Sequence, residues 1–283
     1  MSMFKKTTLA LAISALAGGA LAQSAPAPAP APSPITANVT VVNDYRYRGI
    51  SQSNFKPAIQ GGFDYAHESG FYIGNWNSSI SWISDSLNNP NLSTNSSVSS
   101  SIEMDFYGGF KKELLAPGFA SDIGILQYYY PTSGLPNGTV NPNTTEVYVA
   151  QNFTFGPITG FGKFSYSLSD TFGNYNSKGS YYPDLTVNYD TGLFGISVNA
   201  HVGYQYIAGK TSATSNINNN DVLGYTDWKA GITKDFGGGL SGSIAYVGTN
   251  AKSSYQGSAT TYMSPQGKNL GKSGGLVSLT KTF

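Results

Sequence analysis

Asp44, Arg46 and Arg48 occupy every second position of one short stretch, and the same spacing recurs in Glu103 with Asp105 and in Asp227 with Lys229. Successive side chains of an extended chain point to opposite faces, so a spacing of two places each group on one face. Fixed charges of both signs on one face can do two things. Facing water inside a pore, they create a transverse field that orients permeating solutes. Facing each other across a narrow bore, they pair and close it. Asp64, Lys111, Asp122, Glu146, Lys163 and Asp184 extend the set to eight acidic against five basic candidates, an excess that predicts a preference for cations.

Hydrolytic chemistry has less to work with. A nucleophile needs a histidine in reach and a third group to orient it, or else paired acids that activate water. The chain has two histidines, His67 and His201. His67 precedes the turn Glu68-Ser69-Gly70 and belongs at a wet rim. His201 alternates with apolar neighbours and is predicted to line the same polar face as the charges. The carboxylates are spread over separate segments. Gly237-Gly238-Gly239 is a turn, because no strand-to-helix pattern surrounds it as a phosphate cradle requires. Two histidines and no cysteine make a buried zinc site a poor fit. The expectation is a protein that is not an enzyme and holds no cofactor or metal.

What must position the charges is legible from Ala37 to Trp82. Ala37, Val39, Val41, Tyr45 and Tyr47 fall on one side of a first segment, and Thr40, Asp44, Arg46 and Arg48 on the other. A second alternation sets Ile59, Gly61, Phe63 and Tyr65 against Gln60, Asp64 and Ala66. After the turn at Gly70, Tyr72, Trp76 and Ile80 alternate with Asn75, Asn77 and Ser79. A period of two denotes strands. The polar face carries too many charges for a soluble core, and the other face too many aromatics for water. A wall with lipid outside and a polar lumen inside accommodates both, and in hydrocarbon only a closed barrel leaves no strand edge unpaired.

The rest of the chain keeps this rhythm. Short turns fall at Glu68 to Gly70, Leu114 to Gly118, Gly156-Pro157, Asp190 to Gly192 and Gly237 to Gly239. Between them lie connections rich in Asn, Ser, Thr and Gly, at about 49–56, 83–100, 131–144, 170–179, 207–221 and 250–274. The expected fold is therefore all-β, an antiparallel up-and-down transmembrane barrel of about twelve strands with both termini periplasmic and the long loops outside. A count of ten or fourteen stays open, because the loop after Asn250 can hide or lengthen a hairpin. Charges phase strands four, eight, nine and ten clearly. Strand five is poorly phased, since Leu126 and Tyr128 share a side with Asp122. Tyr45, Tyr47, Tyr65, Tyr72, Trp82, Tyr189, Tyr204 and Tyr206, near strand ends, are expected in interfacial girdles.

The run Asp44-Tyr45-Arg46-Tyr47-Arg48-Gly49-Ile50-Ser51-Gln52, followed by Pro57-Ala58-Ile59-Gln60-Gly61-Gly62-Phe63-Asp64-Tyr65 and Ser69-Gly70-Phe71-Tyr72, resembles the N-terminal signature of the TorF-type porins of bacterial outer membranes. The close match covers about the first fifth of the mature chain. The resemblance implies an outer-membrane barrel with a pore and no particular substrate.

Residues 1–22 read as a cleaved secretory signal, with Lys5-Lys6 at its start, an apolar centre from Leu9 to Ala20, and Ala20-Leu21-Ala22 at the cleavage site. Residues 23–34 form an Ala/Pro-rich linker of extended chain, and residues 35–283 the barrel. No segment approaches the roughly 20 consecutive apolar residues of a spanning helix. Val277, Leu279 and Phe283 share a face of the last strand, which resembles the terminal signal read by the barrel insertion machinery. Lys281 interrupts that face and is expected to snorkel to water.

The composition has 11% charged against 13% aromatic residues, and removal of Lys5 and Lys6 leaves fourteen basic side chains against fifteen acidic. Neither nucleic acid nor an anionic surface is implied as a partner. The partners expected are outer-membrane lipid, the insertion machinery through Phe283, and small hydrophilic solutes. The function expected is a porin-like channel for passive diffusion of such solutes or ions. The alternative is a structural or surface-interaction barrel with a closed lumen.

Overall fold

The structure, a computed structural model, describes residues 33–88 and 97–283. The signal segment 1–22 and nearly all of the linker 23–34 lie outside the described residues. Twelve strands build one closed barrel: β1 (Ile35–Val42), β2 (Ala58–Ala66), β3 (Phe71–Ser79), β4 (Ile102–Ala116), β5 (Phe119–Tyr129), β6 (Thr144–Phe155), β7 (Ile158–Ser167), β8 (Tyr181–Asp190), β9 (Ile196–Gln205), β10 (Tyr225–Gly237), β11 (Leu240–Thr249) and β12 (Gly274–Thr282). Each strand pairs antiparallel with its sequence neighbours. The circle closes where β1 meets β12, with Asn38 opposite Thr282 and Val42 opposite Ser278. Both Ile35 and Phe283 lie at the rim of the five short turns, where Phe283 N–H donates to Ala37 O at 2.8 Å.

The turns follow from glycine. At Gly70, with φ +107°, an added Cβ would stand 2.7 Å from the Lys111 carbonyl oxygen, so only glycine fits. Gly237, Gly238 and Gly239 all have positive φ and follow a register shift at the end of β10. The opposite rim carries the six long loops. Two of these hold short helices, α1 (Trp82–Leu87) and α2 (Asn219–Leu223).

Large apolar side chains point outward all round the barrel: Val41, Ile59, Phe63, Ile73, Phe106, Ile123, Val149, Leu185, Val198, Ile232, Ile244 and Val277 are all exposed. A contiguous apolar belt of this kind has no place in water and matches the lipid-facing band of a transmembrane barrel. Lys281 also points outward, at the short-turn rim, and its ammonium donates to the Gly238 carbonyl while lying 5.6 Å from the Phe283 ring.

The packed core lies inside the barrel, at the long-loop end. One cluster joins Val42, Tyr45, Trp76, Tyr107, Tyr128 and Tyr130 to Ile80, Ile83 and Val98; a second joins Ile50 and Leu270 to Tyr225 and Ala251.

This core corrects the face assignments. β1 ends at Val42, and Asp44 to Arg48 belong to loop 43–57, which folds into the lumen. Its local alternation is real, but the stretch pairs with itself, Arg46–Tyr47 against Ile50–Ser51, and with no wall strand. On β3 the assignment inverts: Phe71 and Ile73 face outward, Trp76 packs inward against Tyr45 of the plug, and Tyr72 reaches inward along the wall to Asp122. Asn75 and Asn77 then sit on the outer face, where Asn75 Nδ2 donates to Asp105 O at 2.9 Å and Asn77 Nδ2 to Asn75 Oδ1 at 2.6 Å. Tyr45, Tyr47, Tyr72 and Trp82 are thus interior residues and not girdle residues. Tyr65 and Tyr189 are exposed on the outer face at the short-turn end. β5 carries Asp122, Leu126 and Tyr128 on one inward face, because Tyr72 covers the carboxylate at its lower end and the plug covers Tyr128 at its upper end.

Candidate functional site

The strands deliver ten of the thirteen charged candidates, together with His201, to the inner face: Asp64 from β2, Glu103, Asp105 and Lys111 from β4, Asp122 from β5, Glu146 from β6, Lys163 from β7, Asp184 from β8, His201 from β9, and Asp227 and Lys229 from β10. Asp44, Arg46 and Arg48 arrive on loop 43–57.

That loop fills the long-loop half of the bore. Arg46 Nε donates to the Asp44 carboxylate, and its Nη1 donates to Gly49 O at 2.8 Å and Leu270 O at 3.1 Å. Ser51 Oγ donates to Asp44 Oδ1 at 2.6 Å. Arg48 crosses to the far wall, its Nη2 2.7 Å from Glu146 Oε2 and its Nη1 2.6 Å from Gln205 Oε1. Burial pulls the Arg48 guanidinium down, but Glu146, Tyr47 and Tyr128 more than reverse this, so it stays charged with a pKa well above its ordinary value. Tyr45 Oη donates to Glu103 Oε1 at 2.6 Å, and burial, with Glu103 and Asp105 nearby, raises that phenol's pKa well above its usual range. At this level Val42, Ala58, Trp76, Glu103, Tyr128, Glu146, Ser167, Tyr182, Gln205, Asp227 and Val247, one from each of β1 to β11, are all buried. Here the cross-section is occupied by protein.

The wall itself shows a device that spacing alone did not suggest. Asp64, Gly74 and Tyr107 are successive cross-strand partners on β2, β3 and β4, and the Tyr107 ring lies flat over Gly74 so that its hydroxyl reaches Asp64 Oδ1 at 2.5 Å. Tyr182 likewise covers Gly203 and donates to Asp227 Oδ2 at 2.8 Å. Tyr72 and Tyr148 meet over Gly109 and Gly124, and Tyr72 donates to Asp122 Oδ1 at 2.7 Å. A buried carboxylate is costly without hydrogen-bond donors, and these tyrosines supply them. The available sequence signal was glycine at inward-facing positions inside strands, which marks a close approach.

Below the plug the charges follow the ladder. Lys111 pairs across strands with Asp122, Asp122 with Ala150, Ala150 with Lys163, and Lys163 with Asp184, a strip of alternating sign from β4 to β8 interrupted at Ala150; it then climbs through Gly203 to Asp227 at the level of the plug. Lys163 Nζ lies 3.7 Å from Asp184 Oδ2. Among the described residues Lys111 and Lys229 join no ion pair. The remaining wall carries hydroxyls: Thr40 bonds Thr280 at 2.8 Å and Ser243 bonds Ser278 at 2.7 Å.

His201 ties β8, β9 and β10 together. Its Nδ1 is 2.9 Å from Thr186 Oγ1, and its Nε2 is 3.0 Å from both Asp227 Oδ1 and Tyr182 Oη. Both ring nitrogens are engaged in the wall, and no group of three or more potential metal-ligating side chains forms among the described residues.

Twelve antiparallel strands closed on themselves, apolar outside and polar within, define the class of protein: a transmembrane-type antiparallel β-barrel. Within that class the chain belongs to the family described as "Bacterial protein of unknown function (Gcw_chp)", which matches residues 26–283. Comparison with curated protein sequences finds no match. Among solved structures, the NanC porin is similar at a TM-score of 0.52 and 9% identity, over 87% of this chain and 98% of that one. The KdgM porin is similar at 0.48 and 6%, over 88% and 98%, and the Pseudomonas putida toluene transporter TodX at 0.48 and 9%, over 89% and 88%. At these identities the likeness concerns the fold.

Proposed function

We propose that the protein is an outer-membrane porin-like channel through which small hydrophilic solutes or ions diffuse passively, and that loop 43–57 holds it shut in the state described. One observation carries this reading: the wall has two faces, a lipid-compatible apolar belt outside and an inner strip in which fixed charges of both signs follow the strand ladder. A barrel serving only as an anchor has no use for a charged strip below its plug. The N-terminal resemblance to the TorF-type porins supports the same reading. The short-turn rim then faces the periplasm, the signal 1–22 is removed on export, and Phe283 serves as the tag for the insertion machinery. Asp64, Lys111, Asp122, Lys163, Asp184, His201 and Lys229 line the pathway. Asp44, Arg46, Arg48, Glu103, Asp105, Glu146 and Asp227 belong to the gated half. The eight-to-five acidic excess lies in the gated half, since the pathway residues carry three acidic and three basic side chains, so a cation preference is expected only of a channel whose gated half is open. Passive diffusion calls for neither enzymatic chemistry nor a cofactor.

The plug also favours a second reading, a structural or surface-interaction barrel that never conducts. Planar-bilayer conductance separates the two. The intact chain is expected to show brief openings and a chain lacking residues 45–55 a steady conductance; silence from both, with the barrel folded, would leave the structural reading.

A further inference from the structure

The environment of Arg48 differs in kind from that of the other lumen charges. Only Tyr47 and Arg48 itself come from the plug; every other group around the guanidinium belongs to the wall or to a neighbouring loop. Glu146 accepts from Nη2 at 2.7 Å and Gln205 from Nη1 at 2.6 Å, so two acceptors meet the two terminal nitrogens of a planar fork. The Tyr182 ring lies 4.1 Å from the guanidinium carbon and the Phe172 ring 6.0 Å. An aromatic face with one acceptor at each of the two terminal nitrogens is the recognition chemistry of a guanidinium, whose planar fork reaches both acceptors from separate nitrogens where an ammonium offers a single one.

These acceptors are also held in place without Arg48. Gln205 commits its Nε2 to Tyr206 O at 3.2 Å and Tyr181 O at 3.4 Å, which turns its oxygen toward the lumen. Tyr128 donates to Glu146 Oε2 at 3.3 Å and Ser167 to Glu146 Oε1 at 3.4 Å. Tyr182 is fixed by Asp227 at 2.8 Å and His201 at 3.0 Å. Glu146, Gln205 and Tyr182 are all buried. The tethered occupant is less comfortable than its cage, because Arg48 sits at φ +45°, in the left-handed region.

We propose that the cage of Glu146, Gln205, Tyr182 and Phe172 is a guanidinium-binding site which the chain fills with its own Arg48 when shut, and that a solute bearing a guanidinium group takes that place when the plug withdraws. The site stands on the geometry alone; the solute class rests on the channel reading above. Tethering gives Arg48 an effective concentration in the millimolar range, so a free guanidinium competes poorly in the intact chain and well in one without that side chain.

The test is calorimetric titration of the full chain, folded in detergent, with guanidinium chloride, using sodium and tetramethylammonium chlorides as controls. Arg48→Ala is expected to bind guanidinium on the order of tenfold more tightly than Arg48→Ala with Glu146→Gln, with tetramethylammonium weaker and sodium silent. Equal titration of the two variants, or a sodium response matching guanidinium, overturns the proposal. Folding is followed by heat-modifiable gel mobility. Should Arg48→Ala not fold, the unsubstituted chain serves: guanidinium should hasten proteolysis within residues 43–57 beyond equal sodium, and Glu146→Gln should abolish the difference. Absence of that excess overturns the proposal equally. Binding without conductance would sink the channel reading and keep the site; conductance without binding would do the reverse.

Discussion

The two halves of the barrel interior are made from the same alternating strands but end in different states. At the long-loop end Arg48 meets Glu146, Arg46 meets Asp44, and tyrosines seal the gaps. At the short-turn end Lys111, Asp122, Lys163 and Asp184 follow one another around the wall, and among the described residues none of them is ion-paired or hydrogen-bonded to loop 43–57. Inward orientation makes a side chain available to the lumen, and two things then bury it: the fifteen residues of loop 43–57 at the long-loop end, and wall neighbours such as Tyr72 over Asp122 at the other.

Removing that loop should erase the difference. Replacing residues 45–55 by a short Gly/Ser linker is expected to raise single-channel conductance on the order of tenfold in planar bilayers; unchanged conductance would place the block elsewhere. A smaller effect follows from Glu146→Gln, which leaves the Arg48 guanidinium buried without its carboxylate. Loss of one partner from a buried pair costs about 3–5 kcal/mol. The loss should fall on plug docking, seen as faster proteolysis within residues 43–57 while the barrel keeps its heat-modifiable mobility. Protection equal to the parent would mean that the pair does not latch the loop.

The wall can be probed independently of the plug. At Gly203 a new Cβ would lie 2.1 Å from Tyr182 Oη, whereas at Gly162 it meets nothing within 4 Å. Gly203→Ala is therefore expected to destabilise the barrel by about 1–3 kcal/mol through overpacking, and Gly162→Ala to leave the urea midpoint unchanged or slightly raised. Matching midpoints would refute the tyrosine-over-glycine account. The smallest effect is expected of Lys163→Glu in the loop-deleted background. Its side chain is 32% exposed and so partly screened, and the reversal potential should move toward cations by only a few millivolts. No shift would remove Lys163 from the pathway.

Much of this was legible beforehand, for identifiable reasons. The strand from Ile196 to Gln205 alternates Val198, Ala200 and Val202 with Asn199 and His201, and that pattern survives folding because lipid and lumen are opposite environments. The five short turns were readable because positive φ selects glycine. Tyr72 and Trp76 misled because an aromatic side chain suits a lipid interface and a protein-filled lumen equally well, so composition could not choose. Arg46 and Arg48 misled in the same way, since an alternating extended segment looks alike whether it belongs to the wall or to a hairpin lying inside it. The Asp64, Gly74 and Tyr107 unit was invisible because it depends on register between strands far apart in sequence.

By itself the sequence determined the rhythm of turns and loops and the presence of two opposed faces, because these follow from a period of two and from local backbone preferences, and it brought the strand count to about twelve; the structure fixed it. Only the tertiary structure decided which charges meet, which tyrosines reach which carboxylates, and that the loop after β1 turns inward. Those depend on ladder register and barrel closure, which bring residues such as Arg48 and Glu146 into contact across the bore although no local interaction links them.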